Sequence, residues 1–139
     1  MKANVNISYN ASKLAKKLPN IIENFLKSYG ESSAKESRKS IDEMRHGEKL
    51  SKLSIKSRVA GNHPSGVKIK SSSVTPLKWS GNLYTNIKGT KKGLQLPKYG
   101  WYHHTGNTWG GTRRPFIEFK LDEKALRRLR IQIKEGLKK

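Results

Sequence analysis

Between Lys49 and Phe116 the chain carries 13 Lys and Arg and no Asp or Glu. A stretch with no counter-charge of its own is either a solvated basic surface that aids solubility or a region lying beside phosphates or carboxylates. The flanks are mixed: residues 1–60 hold 13 basic and 6 acidic side chains, residues 122–139 hold 7 and 3. The total is 30 Lys and Arg against 10 Asp and Glu, a net charge of +20 on 139 residues. Polyanions are therefore the first partners to consider: nucleic acid, an anionic membrane or an acidic protein surface. Leu, Ile, Val and Phe number only 30, barely above the ~20% below which a highly charged chain is expected to be disordered. The core should be modest, with some segments ordered only by a partner or by copies of the chain.

The length fits a single domain, 1–139. The absence of cysteine excludes a disulfide framework, a thiolate zinc site and a Cys nucleophile. No apolar run approaches the ~18–20 residues of a membrane helix. The opening MKANVNISYN has no apolar h-region, so no secretory signal is expected and function is placed in the cytoplasm or in something assembled there.

Periodicity organises the chain into four regions: N-terminal helices (1–46), a mobile loop region (47–76), a β-sheet (77–120) and a C-terminal helix (121–139). Leu14, Leu18, Ile21, Ile22, Phe25, Leu26 and Tyr29 form an apolar stripe that predicts a helix over 12–29, kinked or restarted at Pro19. Beyond Gly30, Ala34, Ile41 and Met44 continue a thinner stripe. Its Ser-rich surroundings predict a second, half-exposed helix over 31–45, ended at Arg45-His46-Gly47. Ser51 to Val59 reads as a short helix and Ala60 to Thr75 as a long loop. Leu83 to Lys88 and Gly93 to Leu96 read as strands joined by a Gly-containing hairpin turn. Trp101 to His104 and Arg114 to Lys120 read as further strands, separated by an Asn107 to Arg113 loop. Asp122 is a good N-cap for a last helix to about Leu137, striped by Leu126, Leu129, Ile133 and Leu137. The fold expected is α+β: a small antiparallel sheet with a long N-terminal helix and a C-terminal helix packed on it, and one long loop.

Catalytic constellations are hard to assemble. His103 and His104 would point to opposite faces of a strand, and His46 and His63 are distant in sequence. Paired carboxylates for acid–base work are missing from the aromatic half. Ser80-Gly81 is not a nucleophile elbow, and no phosphate-cradling Gly-rich motif occurs. No enzyme, metal or cofactor is expected. Eight of the eleven aromatics fall between Trp79 and Phe119. They suit a small core better than a stacking platform for single-stranded nucleic acid.

Three segments, in order, resemble one family: Leu77-Lys78-Trp79-Ser80-Gly81-Asn82-Leu83-Tyr84-Thr85-Asn86-Ile87, then Tyr99-Gly100-Trp101-Tyr102-His103-His104-Thr105-Gly106, then Arg113-Arg114-Pro115-Phe116-Ile117. Tailed-phage tail-completion and virion-morphogenesis proteins, the Mu-like branch among them, carry a similar series closed by an acidic-capped helix. Here that helix opens Leu121-Asp122-Glu123. Leu50 to Arg58 is similar to the stretch preceding the first motif. Asn86 and Gly100 stand where the family usually has Ser and Ala.

The resemblance implies a structural virion protein, assembled in the host cytoplasm, that forms a homo-hexameric ring at the neck or tail. Such a ring joins head to tail or terminates the tail tube, contacts other connector proteins and the tube protein, and passes genomic DNA. Membranes have no part in it. Leu77, Ser80, Gly81, Leu83, Tyr99, His103, Gly106, Arg114, Pro115 and Phe116 are then architectural: Gly81 turns the chain, Gly106 ends a strand, Pro115 fixes the start of the last strand, and Phe116 or Phe119 seals the sheet. Lys88, Lys91, Lys92, Lys98 and Arg113 are expected nearest DNA or an acidic partner, and Arg114 fits either role equally. The alternative from charge alone is a sequence-nonspecific nucleic-acid-binding protein.

Overall fold

The computed structural model describes residues 2–45, 50–62, 66–71, 73, 75, 77–78, 80–106 and 113–138, with side chains from residue 11 onward. The fold is α+β. Its elements, in order, are α1 (Lys2–Asp42), α2 (Lys52–Ala60), α3 (Asn82–Thr85), β1 (Lys88–Thr90), β2 (Gly93–Gln95), α4 (Lys98–Thr105) and α5 (Glu123–Leu137).

The two expected N-terminal helices are one helix of 41 residues that runs through both Pro19 and Gly30. At 1.5 Å per residue it is about 62 Å long, so it serves as a spine on which the other elements lie. Pro19 removes a hydrogen bond to the carbonyl of Ala15, but both residues are exposed, leaving that carbonyl open to water. The stripe Leu14, Leu18, Ile21, Phe25 continues across the proline and stays at least half-buried, so packing on both sides holds the helix together.

Gly30 has a different function. The hairpin β1–β2 is antiparallel, pairing Lys88 with Gln95 and Thr90 with Gly93 across a turn at Lys91-Lys92. It lies against α1 so closely that a Cβ on Gly30 would sit 2.5 Å from the Gly93 carbonyl carbon. The missing Cβ costs the helix about 1 kcal/mol relative to Ala and makes room for backbone-to-backbone contact.

α5 pairs antiparallel with the N-terminal half of α1, because Gly136 meets Leu14 while Lys120, just before α5, meets Ser33. Asp122 caps α5 as expected, accepting from the N–H groups of Lys124 and Ala125. Ser51 likewise caps α2 through Ser54 N–H. The core is Ala34, Ile41, Leu83, Ile87, Leu96, Phe116 and Ile117, flanked by Leu77, Tyr84 and Leu94.

Several expected elements take another form. Among the described residues the sheet has two strands, not four. Of the expected strand Leu83 to Lys88, Leu83 to Thr85 lie in the helical turn α3 and only Lys88 is in β1, since Gly81 (φ 74) turns the chain into a helical rather than an extended start. Trp101 to His104 lies in α4, which opens after Pro97 and closes at Gly106 in the left-handed conformation (φ 82). Gly100 seats this helix, because a Cβ there would come within 2.7 Å of Leu83 and Leu96. The expected stretches at His46, Gly47, His63, Trp79 and Asn107 lie outside the described residues.

Arg114 to Lys120 is extended but belongs to no sheet. At its C-terminal end, Glu118 and Lys120 bond through their backbone to serine hydroxyls of α1. Ser37 Oγ accepts from Glu118 N–H (2.9 Å) and donates to Glu118 C=O (3.3 Å). Ser33 Oγ does the same for Lys120 at 3.0 and 3.5 Å. Four helical residues advance about 6 Å and two extended residues nearly 7 Å, so serines four apart match backbone groups two apart. The Ser-rich half of α1, expected to be half-exposed, thus holds some of the most buried side chains: Ser33, Ser37 and Ser40 are 0% exposed.

Candidate functional site

The motif residues fall into two groups. Leu83 and Phe116, both in the core, come together with half-buried Leu77 (φ 67). Phe116 rather than Phe119 makes the seal: Phe116 is 0% exposed and Phe119 60%. Ser80 Oγ accepts from Asn82 N–H and so shapes the start of α3. The second group lies at the end of α4. Arg114 N–H donates to His103 C=O (2.8 Å), Arg113 Nε donates to His104 C=O (3.3 Å), and Ile117 N–H donates to His104 Nδ1 (3.2 Å). The His104 ring also stands edge-on to Phe116 and Trp101. Pro115 and Tyr99 are exposed. The expected strand geometry with two outward-splayed histidines is replaced by a helix end clamped to the 113–117 segment.

Arg58 completes this junction, and sequence reasoning passed over it. It is 4% exposed, and its Nη1 donates to the carbonyls of Ser73 and Thr75 at 2.9 and 2.8 Å. Burial, then the Arg114 charge, push its pKa below the ordinary value. The same two causes lower His103. For His104 the causes are burial first and then Arg113, partly opposed by Glu118. Burial and the neighbouring Arg113 and Arg114 charges thus both disfavour protonation of the two histidines.

A pH prediction follows. A histidine whose folded pKa lies below its unfolded value contributes stability that is complete above the unfolded value, near 6.5. That stability is lost as pH falls from there toward the folded pKa. Protonation of His104 would also turn its acceptor toward Ile117 N–H into a donor. The urea midpoint is expected to fall between pH 7.5 and pH 5.5, the unfolding free energy dropping by at most about 1.4 kcal/mol per pH unit for each histidine. His104→Asn, which keeps an acceptor without titrating, should flatten the profile. A wild-type midpoint that rises on acidification would refute this account. Glu36 belongs to a lower window: hydrogen bonds from Arg45 and Lys120 pull it to about 2, so its contribution is lost only as pH falls below about 4.5.

The acids of α1 act as counter-ions for the acid-free stretch. Asp42 accepts from Lys78 Nζ and from Tyr84 Oη (2.7 Å), with Lys78 also over the Tyr84 ring. Burial alone would raise the Asp42 pKa, but the two hydrogen bonds outweigh it and hold it below its usual value. Lys91 pairs with Glu23 at 3.0 Å at the surface. Lys88, Lys92 and Lys98 are exposed and have no ion pair among the described residues. Of the five expected contact residues, Lys88, Lys91 and Lys92 lie on the hairpin, Lys98 opens α4, and Arg113 bonds the His104 carbonyl near the other end of that helix.

Among the described residues no group of three or more His, Asp or Glu could hold a metal ion, and no helix is long and apolar enough to cross a membrane. Comparisons with protein-family models, curated proteins and solved structures return no match.

Proposed function

We propose that this chain is a structural protein of a tailed-phage neck or tail, one that assembles with copies of itself into a ring, completes the tail or joins head to tail, and lets DNA pass. The observation that carries this reading is that residues of all three motif segments are architectural. Leu83 and Phe116 share one core, and the His103 and Arg114 segments are stitched by backbone bonds, which suits a shell component better than a catalyst.

Two further facts support it. Leu53, Val59, Val67, Phe119 and Leu121 are large apolar residues left exposed, surface available to copies or partners. Lys88, Lys92 and Lys98, exposed and without ion pairs, suit weak, sequence-independent contact with phosphates. A ring of such copies carries a large positive charge, so its assembly should strengthen with salt or with DNA, which screen the repulsion.

The second reading, a free nucleic-acid-binding protein, is favoured by α5, whose Arg127, Arg128, Arg130 and Lys134 are all exposed. Native mass spectrometry of the purified chain, across salt and with a short DNA duplex, separates the two. The ring reading expects a closed multiple of the 15.8 kDa chain, with a hexamer named by the resemblance. A monomer at every concentration that binds the duplex, losing affinity steeply with salt, would replace the ring by the second reading.

A further inference from the structure

The extended segment beside α1 is bonded on one edge only. Glu118 and Lys120 direct their N–H and C=O groups to Ser37 and Ser33. In an extended chain the intervening residues direct theirs to the opposite side. On that side Ile117 N–H is taken by His104 Nδ1. Phe119 and Leu121, by contrast, make no main-chain hydrogen bond among the described residues. Their side chains are also uncovered, at 60% and 48% exposure. An open strand edge with apolar side chains is a template for another strand.

A second open edge lies on the same chain. Ile69 N–H donates to Gly61 C=O and Ser71 N–H to Arg58 C=O, while Asn62 and Lys68 face each other as an antiparallel bridge. Lys68 and Lys70, the alternate residues, are exposed and make no hydrogen bond among the described residues. The charges of the two edges are complementary. Phe119 and Leu121 lie among Glu118, Asp122 and Glu123, three of only 10 acids in the chain, and Lys120 between them is paired with Glu36 at 3.1 Å, whereas Lys68 and Lys70 belong to the acid-free stretch.

We propose that the Phe119–Leu121 edge of one copy pairs, strand to strand, with the Lys68–Lys70 edge of the next. This rests on the ring reading and names its contact. Two different edges make a head-to-tail interface, the kind that closes into a ring when its rotation allows. His104, by occupying Ile117 N–H, ends the pairing on one side, and the Asp122 cap of α5 ends it on the other.

The chain has no cysteine, so engineered thiols report the pairing without background. A Phe119→Cys chain is mixed in turn with Lys68→Cys and Lys70→Cys chains and oxidised mildly. One of the mixed disulfides is expected to exceed homodimers of either chain at least ~tenfold, because paired edges hold the thiols at effective millimolar concentration. Phe119→Pro removes an N–H that bonds nothing among the described residues. It should leave the unfolding midpoint of the monomer in place while lowering the assembled fraction at least ~tenfold, the loss expected when a strand edge is blocked. Dominant Phe119→Cys homodimers would mean a two-fold contact and overturn the proposal. Wild-type rings by native mass spectrometry with no mixed disulfide would overturn the edge pairing alone, leaving the ring. A wild-type chain that stays monomeric throughout would remove both the pairing and the ring.

Discussion

Gly89→Ala is expected to destabilise the protein by about 3 kcal/mol or more, the upper range for overpacked sites. A Cβ on Gly89 would overlap the backbone nitrogen of Glu31 and approach the Gly30 carbonyl carbon to 2.5 Å. The obstacle is helical backbone, which cannot rotate aside as a side chain can. The hairpin would have to lift from α1, exposing the half-buried Leu94 that packs on the core. The cost is steric alone, because Gly89 is not among the glycines with positive φ. Gly66→Ala is the control: its φ of 78 adds strain, but nothing stands within 4 Å, so a loss nearer 1 kcal/mol is expected from strain alone. Urea unfolding of both variants measures the difference. A Gly89→Ala midpoint within error of wild type would mean that the hairpin does not rest on Gly30.

The double variant Ser33→Ala/Ser37→Ala should lose about 2–4 kcal/mol. Each hydroxyl serves both polar groups of one backbone residue, and a buried donor or acceptor left without its partner costs about 1–3 kcal/mol. Lys120 is the more exposed of the two partners, so water recovers part of its loss. Alanine is the better helix former, which makes any destabilisation attributable to the lost bonds rather than to α1. Hydrogen exchange gives the specific signature: the Glu118 and Lys120 amides should exchange faster in the variant, while amides within α5 keep their relative protection. Unchanged exchange at those two amides would sink the hydroxyl ladder even if the protein were less stable.

These two sites mark the boundary of what could be read from the chain alone. Asp122 as a cap, a short helix beginning near Ser51, the hairpin turn before Gly93, and the striped last helix were legible because each depends on residues within a few positions. α4 carried a local signal that was outweighed, Pro97 before it and Gly106 after it. Its aromatic run reads equally well as a strand until Gly100 is seen seated on Leu83 and Leu96. At the candidate site, the resemblance gives roles to His103, Arg114, Leu83 and Phe116, whereas Arg58 lies at the end of a similar stretch with no role attached. A lone arginine in a Ser- and Lys-rich stretch gives no sign that the carbonyls of Ser73 and Thr75 will surround it.

The serine face had a sequence trace in the spacing of Ser33, Ser37 and Ser40, steps of a helical face. Polarity argued for exposure, and only the partner segment, 81 and 87 positions away, reverses that argument by satisfying every hydroxyl. The amino-acid sequence by itself thus determined the caps, the turns, the helical stripes and the excess of positive charge, all of which act over a few residues or by simple summation. Tertiary structure alone decided that α1 runs unbroken through Pro19 and Gly30, that its serines are interior, and that the last extended segment joins a helix instead of a sheet. Each of those outcomes turns on a partner far along the chain, whose packing and hydrogen bonds outweigh a local preference of about 1–3 kcal/mol per residue.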